Sequence, residues 1–438
     1  MSDMSSNESG PLTGVRVLEF SQIVSLPYAG VLLADLGADV IKVEPLRGDP
    51  HRLRGAVISN EGKRFQSLNR GKRSIAVNLA DERGRELIYR LVPHIDVATI
   101  NFRVGVADRL GIDFETLRKY RSDLIYCELS GFGNRGAMAR RAATDVVASA
   151  YSGLTFADMK IDDEGQPVQL TAISLADYVA GLSAAFGIAS ALRYREIRGQ
   201  GQRIDTSLLA AALSVQDTVV MREPVHDSVL RDELVERLRE ARRGGVPYAE
   251  QIRMYEDARR VGRSTFRCYY RAYQVSDGYI VIGALTEAGR NGVRRALGIT
   301  DDDSDAPGFN ALAPENVEFG DQLLLRMEKQ LRQRPLDEWM EILADEGVPV
   351  APINTPEEMS DNPQVEALGL MQTIEHPTLG KQRVVGSPLQ MSETPPKVQG
   401  HSPRLGEHTF EVLRMLGAVS EEELIALTEV GVLGQHED

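Results

Sequence analysis

The run from Gly14 to Glu44 constrains the fold of this chain more than any other stretch. Val15, Val17, Leu18 and Phe20 form a short apolar segment with a β-branched bias, long enough for a buried strand and too short for a helix. Val31, Leu32, Ala34, Asp35 and Leu36 then follow a helical pattern. Pro27 opens it at a position where proline is tolerated, and Gly37 closes it. Val40, Ile41 and Val43 supply a second strand. Strand, helix and strand in this order predict a right-handed βαβ unit and hence a parallel sheet. The loop between Phe20 and Pro27 then lies at the carboxyl end of the first strand, where open α/β sheets bind ligands. No Gly-x-Gly-x-x-Gly follows that strand, which argues against a dinucleotide and against a nucleotide-dependent oxidoreductase.

The chain has 438 residues, room for two domains. Hydrophobic content of 42% with 26% charged residues is that of an ordinary globular protein. A formal charge of −14 argues against nucleic-acid binding, which needs a basic footprint. Cys127 and Cys268 lie in apolar, strand-like runs with no metal-ligand spacing, and predict buried thiols. The polar, acidic start reads as a disordered tail and not as a signal peptide. No apolar stretch reads as approaching the roughly twenty residues that span a membrane, and the expectation is a cytoplasmic protein with no membrane partner.

Alternating patterns extend the parallel sheet: strands over 74–79, 96–100 and 124–129, with a helix over 81–91 whose Leu87, Ile88 and Leu91 share a face. From Thr171 to Tyr194 small residues recur (Ala180, Gly181, Ala184, Ala185, Gly187, Ala189), predicting a closely packed buried helix. Gly199-Gln200-Gly201 then turns the chain toward a strand over 202–205 and a further helix to about Val220. The predicted organisation is a tail over 1–10, a large α/β domain over 11–221, a charged helical linker over 222–263 and a smaller α+β domain over 264–348. A return segment over 349–438 completes the large domain with two helices. Within the small domain, Asp277-Gly278 marks a hairpin turn.

One carboxylate stands out. Asp177 is the only acidic residue between Glu164 and Glu196, in an otherwise almost wholly apolar segment. A lone carboxylate there is either a helix cap or a functional group tuned by partial desolvation.

Several pieces occur in a characteristic order: the opening βαβ run, Asn69-Arg70-Gly71-Lys72-Arg73-Ser74, Asn101-Phe102-Arg103, Gly131-Phe132-Gly133, Gly199-Gln200-Gly201-Gln202 and Leu405-Gly406-Glu407-His408-Thr409. Together they resemble the class III CoA-transferases, the formyl-CoA and carnitine CoA-transferase group, with the α-methylacyl-CoA racemases as relatives. The resemblance spans nearly all of the chain outside the tail and the charged segment. It implies a Rossmann-like large domain and an interlocked homodimer. It implies acyl-CoA and a small carboxylic acid as substrates, with no metal and no permanently bound cofactor. Asp177 matches the family's catalytic aspartate. Val24, Ser25, Leu68, Asn69, Arg70, Gly71, Lys72, Asn101, Phe102, Arg103, Arg109, Arg141, Ala142, Ala143 and Thr144 match positions that touch CoA. Arg103, Arg109 and Lys72 are cations suited to its phosphates.

The alternative activity, racemisation at the acyl α-carbon, needs a second base. The family's racemase histidine is replaced here by Thr144, which counts against it. A non-catalytic CoA-binding protein is the other alternative, and the presence of Asp177 opposes it. Two departures affect the acyl substrate: Leu26 stands where the family often has glycine, and no glycine-run flap is found, Gly262-Arg263-Ser264-Thr265 being the nearest stretch.

Overall fold

The computed structural model describes residues 10–169, 173–261 and 263–436. Most of the expected tail, the first residues of the expected small-residue helix (Thr171, Ala172) and Gly262 lie outside that range. The chain divides into two compact units. One comprises Met1–Asp158, Gln169–Val220 and Ser360–Asp438, the other Met159–Val168 and Met221–Met359.

The first unit opens with β1 (Arg16–Glu19), α1 (Ser25–Asp35), β2 (Asp39–Glu44), α2 (Pro50–Leu53), α3 (Lys63–Asn69) and β3 (Arg73–Val77). It continues with α4 (Glu82–Leu91), β4 (Val97–Ile100), α5 (Val106–Leu110), α6 (Phe114–Leu117) and β5 (Ile125–Ser130). Then come α7 (Asp145–Ser152), α8 (Leu154–Ala157), α9 (Leu175–Arg198), β6 (Arg203–Ser207) and α10 (Leu208–Ser214). The strands form one seven-stranded sheet in the order Leu433–Gly434, β3, β2, β1, β4, β5, β6. All neighbours are parallel except Leu433–Gly434, which runs antiparallel to β3.

Successive strand residues point to opposite faces, so an apolar run feeds two cores. Leu18, Ile41, Ile75 and Tyr126 pack on one face with Leu87, Ile88 and Leu91 of α4 and with Val412, Leu413 and Leu424. Val17, Val40, Val97, Ile125 and Cys127 pack on the other with Leu26, Ala29 and Leu33 of α1 and Ala176, Ala180, Ala184 and Ile188 of α9. Each fully buried leucine or isoleucine contributes about 1.5–3 kcal/mol relative to an exposed one. The α1–α9 contact depends on glycine: a Cβ at Gly181 would lie 2.4 Å from the Ser25 carbonyl oxygen. α1 begins two residues before Pro27, because proline is accommodated in a first turn, and Gly37 follows the helix at φ +97°.

α9 corrects the expectation that no apolar stretch reaches membrane-spanning length. By length and composition it could cross a bilayer, and its dilution with Ala, Gly and Ser concealed this. Its Ala176, Ala180, Gly181, Ala184 and Ile188 are buried within the first unit, as in the core helix of a globular domain.

In the second unit the predicted hairpin forms as Tyr270–Gln274 and Tyr279–Gly283, with Val350–Pro352 added as a third, antiparallel strand. Helices Glu287–Leu297, Pro314–Leu331 and Leu336–Asp345 share its core through Val293, Leu323, Met327, Leu331, Trp339 and Leu343. Cys268 is buried as expected, but in a short helix (Phe266–Tyr269) and not in a strand. The charged segment is helical over Pro224–Leu230, Asp232–Arg243 and Tyr248–Val261 and clusters with the second unit, with Leu238, Ala241 and Ile252 buried. The C-terminal helices Thr409–Gly417 and Glu421–Glu429 belong to the first unit.

Candidate active site

The loop after β1 is held at three consecutive residues. Lys42 Nζ donates to the Ser21 carbonyl at 2.8 Å. Asn101, just past β4, accepts from Gln22 N–H at 2.9 Å and returns its own amide to the Gln22 carbonyl at 2.8 Å. Ile23 N–H donates to Asp49 Oδ2 at 3.2 Å. These bonds offset an unfavourable backbone: Ile23 sits at φ +73°, where a β-branched residue is strained by about 1–3 kcal/mol. The Ile23 side chain is thereby turned outward, into a cleft of about 180 Å³ at the carboxyl edge of β1, β4 and β5.

Asp177 faces the same cleft from the first turn of α9. Ser174 is the N-cap and makes no capping bond through its side chain. The capping duty falls to Asp145, at the start of α7, whose carboxylate accepts from the Asp177 N–H at 3.1 Å and from the Ala176 N–H. The helix N–H groups are thus satisfied by another carboxylate, and Asp177 faces the cleft without capping α9. Burial pushes the Asp177 carboxyl up to about 6. The Ser25 hydroxyl, donating to it, pulls it down, the Asp145 charge raises it and Arg64 lowers it. Burial likewise raises Asp145, against the pull of its two N–H partners and Arg64.

Val24, Ser25, Asn101, Phe102, Arg103, Arg141, Ala143, Thr144 and Asp177 line this one cleft. Arg109 and Ala142 are exposed and lie outside its lining. Leu68, Asn69, Arg70, Gly71 and Lys72 lie at the end of α3 and in the turn before β3, outside the lining of this cleft. Lys72 Nζ is fully buried, bonded to Glu19 Oε2 at 2.9 Å, Asn69 Oδ1 at 3.0 Å and the Pro27 carbonyl at 2.8 Å. Burial lowers it to about 8, with Glu19 opposing. Gly30 leaves room for this cluster; a Cβ there would lie 2.1 Å from Glu19 Oε2. Arg70 is buried in an ion pair with Asp35. Both cations have carboxylate partners within the protein. Leu68 and Arg70 instead line a separate, more apolar cleft of about 800 Å³ with Tyr28 and Tyr178.

Lys42, Asp49, Asp145 and Arg64 are the participants that sequence reading did not single out. Asp49-Pro50 is a visible helix-start signal, but nothing local says that its carboxylate also holds Ile23. Among the described residues, no three His, Cys, Asp or Glu side chains converge as a metal-ligand set.

A mostly parallel sheet with a half-buried carboxylate and a pinned loop at its carboxyl edge has the ligand-site arrangement of an open α/β protein. The family model for CoA-transferase family III matches residues 12–409, and the chain belongs to that family. It is a CoA-transferase. The succinyl-CoA:glutarate CoA-transferase of Homo sapiens is 30% identical over 100% of this chain and 92% of its own length. The succinate–glutarate CoA-transferase of Agrobacterium fabrum is 32% identical over 96% and 98%. The crystal structure of a CAIB/BAIF family protein from Brucella suis superposes with a TM-score of 0.69 at 29% identity, covering 93% of this chain and 99% of that one.

Proposed function

We propose that the chain moves CoA between an acyl-CoA and a free carboxylic acid, with Asp177 as the covalent carrier. The supporting observation is a half-buried carboxylate that faces the strand-end cleft while Asp145 caps its helix. With a pKa of about 6 it is mostly ionised at pH 7, yet more basic than an ordinary aspartate.

The Asp177 carboxylate attacks the thioester carbonyl and expels CoA thiolate, leaving a mixed anhydride. The thiolate, whose basicity is near that of cysteine, leaves readily. It then attacks the aspartyl carbonyl of the anhydride, releasing the first acid as carboxylate and forming an aspartyl-CoA thioester. The acceptor carboxylate attacks that thioester, expelling thiolate again. Attack of this thiolate on the acceptor's carbonyl gives the new acyl-CoA and regenerates Asp177. Charge and atoms balance with no net proton transfer, and one difficult exchange is divided into easier steps.

The cleft is too small for a whole CoA molecule, so it takes the thioester end. Arg103 and Arg141 at its rim suit the phosphates. The acids are short dicarboxylates, as the names of the human and Agrobacterium relatives suggest. The working state is a homodimer; the exposed Leu182, Phe186 and Ile197 of α9 support a covered face.

Incubation with succinyl-CoA, trapping with hydroxylamine and peptide mass spectrometry will place the adduct on Asp177. Turnover with no adduct there, or full activity in Asp177→Ala, overturns the mechanism.

A further inference from the structure

The acid substrate arrives as an anion at a site that already holds two carboxylates, Asp145 and Asp177, in a chain of net charge −14. It needs a cation of its own. Of the nearby arginines, Arg52, Arg70 and Arg73 are locked in ion pairs with Glu44, Asp35 and Asp39. Arg103 and Arg141 line the strand-end cleft, where the proposed reading puts CoA.

Arg64 differs from all of these. It is exposed on α3, and its Nη2 donates to Ser174 Oγ at 3.0 Å, at the N-cap of the helix that carries Asp177. Among the described residues it forms no ion pair within salt-bridge distance, so the rest of its guanidinium fork is open. Its charge nevertheless reaches Asp145, Asp177 and the buried His51. Ser174 is the N-cap of α9 and Asp177 stands in its first turn, so Arg64 is held within about one helical turn, ~5.4 Å, of the reacting carboxylate, a separation comparable with the span between the carboxylates of a four- or five-carbon diacid. A guanidinium on the reacting carboxylate would blunt its attack, whereas on the far one it fixes position alone.

We infer that Arg64 is a specificity-determining residue that binds the distal carboxylate of a dicarboxylic acid substrate while the other carboxylate reacts at Asp177. The inference rests on the CoA-transfer reading for its reaction but not for its binding event.

The test compares Arg64→Gln and Arg64→Lys with the wild type, using succinate and butyrate as acceptors and acetyl-CoA, whose acyl group has no distal carboxylate, as donor. Thermal shifts with succinate or butyrate alone serve as a separate binding readout. Arg64→Gln should raise KM for succinate about ten- to a hundredfold, the usual effect of losing a charged hydrogen-bonded contact. Loss of the Arg64 charge near Asp177 acts on both acids alike, so the ratio of the succinate KM to the butyrate KM should rise about tenfold or more, and Arg64→Lys should recover part of the loss. Matching unliganded melting temperatures will show that the variants fold. An unchanged succinate-to-butyrate preference in Arg64→Gln overturns the inference even if transfer proceeds. A succinate-specific thermal shift that disappears in Arg64→Gln, in a protein that transfers CoA to no acid, keeps the Arg64 site and removes the transfer reading.

Discussion

Replacing Asp177 by asparagine isolates the energetic consequence of burying this carboxylate. In the unfolded chain the group titrates at its ordinary 3.8, and in the folded protein at about 6, chiefly through burial. That difference, at 1.36 kcal/mol per unit, corresponds to about 3 kcal/mol. The raised value means that the native state binds the proton more tightly. Folding is therefore unaffected by this group below pH 4, loses stability as pH rises from 4 to 6, and carries the full penalty above 6. Asp177→Asn has no charge to desolvate. It should equal the wild type at pH 4 within the effect of the amide itself, and gain on it by about 2–3 kcal/mol at pH 7.5, allowing for residual solvent contact. Urea melts of both proteins from pH 4 to 8, followed at the first unfolding transition, measure this directly. Wild-type turnover should fall below an acid limb near 6, and the asparagine variant should be inactive at every pH. A stability difference that stays flat from pH 4 to 8 would mean that Asp177 titrates like an exposed aspartate, and the electrostatic account of the site would be wrong.

Three further substitutions probe the supports of the site. Gly181→Ala forces a methyl against the Ser25 carbonyl; it should destabilise by about 1–3 kcal/mol and lower kcat by disturbing the Ser25–Asp177 bond, as thermal melts and steady-state rates will report. Asp145→Asn keeps an acceptor for the α9 N–H groups but removes the charge that raises Asp177; the acid limb of kcat/KM should move to lower pH with little change in melting temperature. Lys72→Met strips one cation from the buried Glu19 cluster and should lower stability by about 3–5 kcal/mol in urea. A raised KM for acyl-CoA without destabilisation would instead return Lys72 to phosphate binding.

The sheet was legible because periodicity reports it directly. The apolar run of β1, the leucines of α4 and the Asp277-Gly278 turn each carry a local signal that the tertiary structure does not override. Partners are what local patterns conceal. Nothing in Asn69-Arg70-Gly71-Lys72 reveals that Arg70 pairs with Asp35 or that Lys72 pairs with Glu19, because both carboxylates come from distant parts of the chain. The left-handed turn at Ile23 has no sequence signature, since glycine or asparagine is the ordinary marker of such a conformation. The alternating charges of 222–263 hid Leu238, Ala241 and Ile252, too sparse to form an apolar stripe yet enough to bury one face. Asp177 was conspicuous by isolation, but only the position of Asp145 separates a cap from a carboxylate that faces the cleft.

The glycine contact between α1 and α9 also has a temporal side. Ser25 comes from the first crossover of the sheet and Asp177 from the last long helix before β6. On a growing chain, or in any intermediate where these helices have not met, Asp177 is a water-exposed aspartate of ordinary acidity. Its raised basicity is a property of the finished packing. Under the proposed mechanism, an unfinished or misfolded copy in the presence of acyl-CoA is chemically silent, and cannot capture an acyl group that it is unable to hand on.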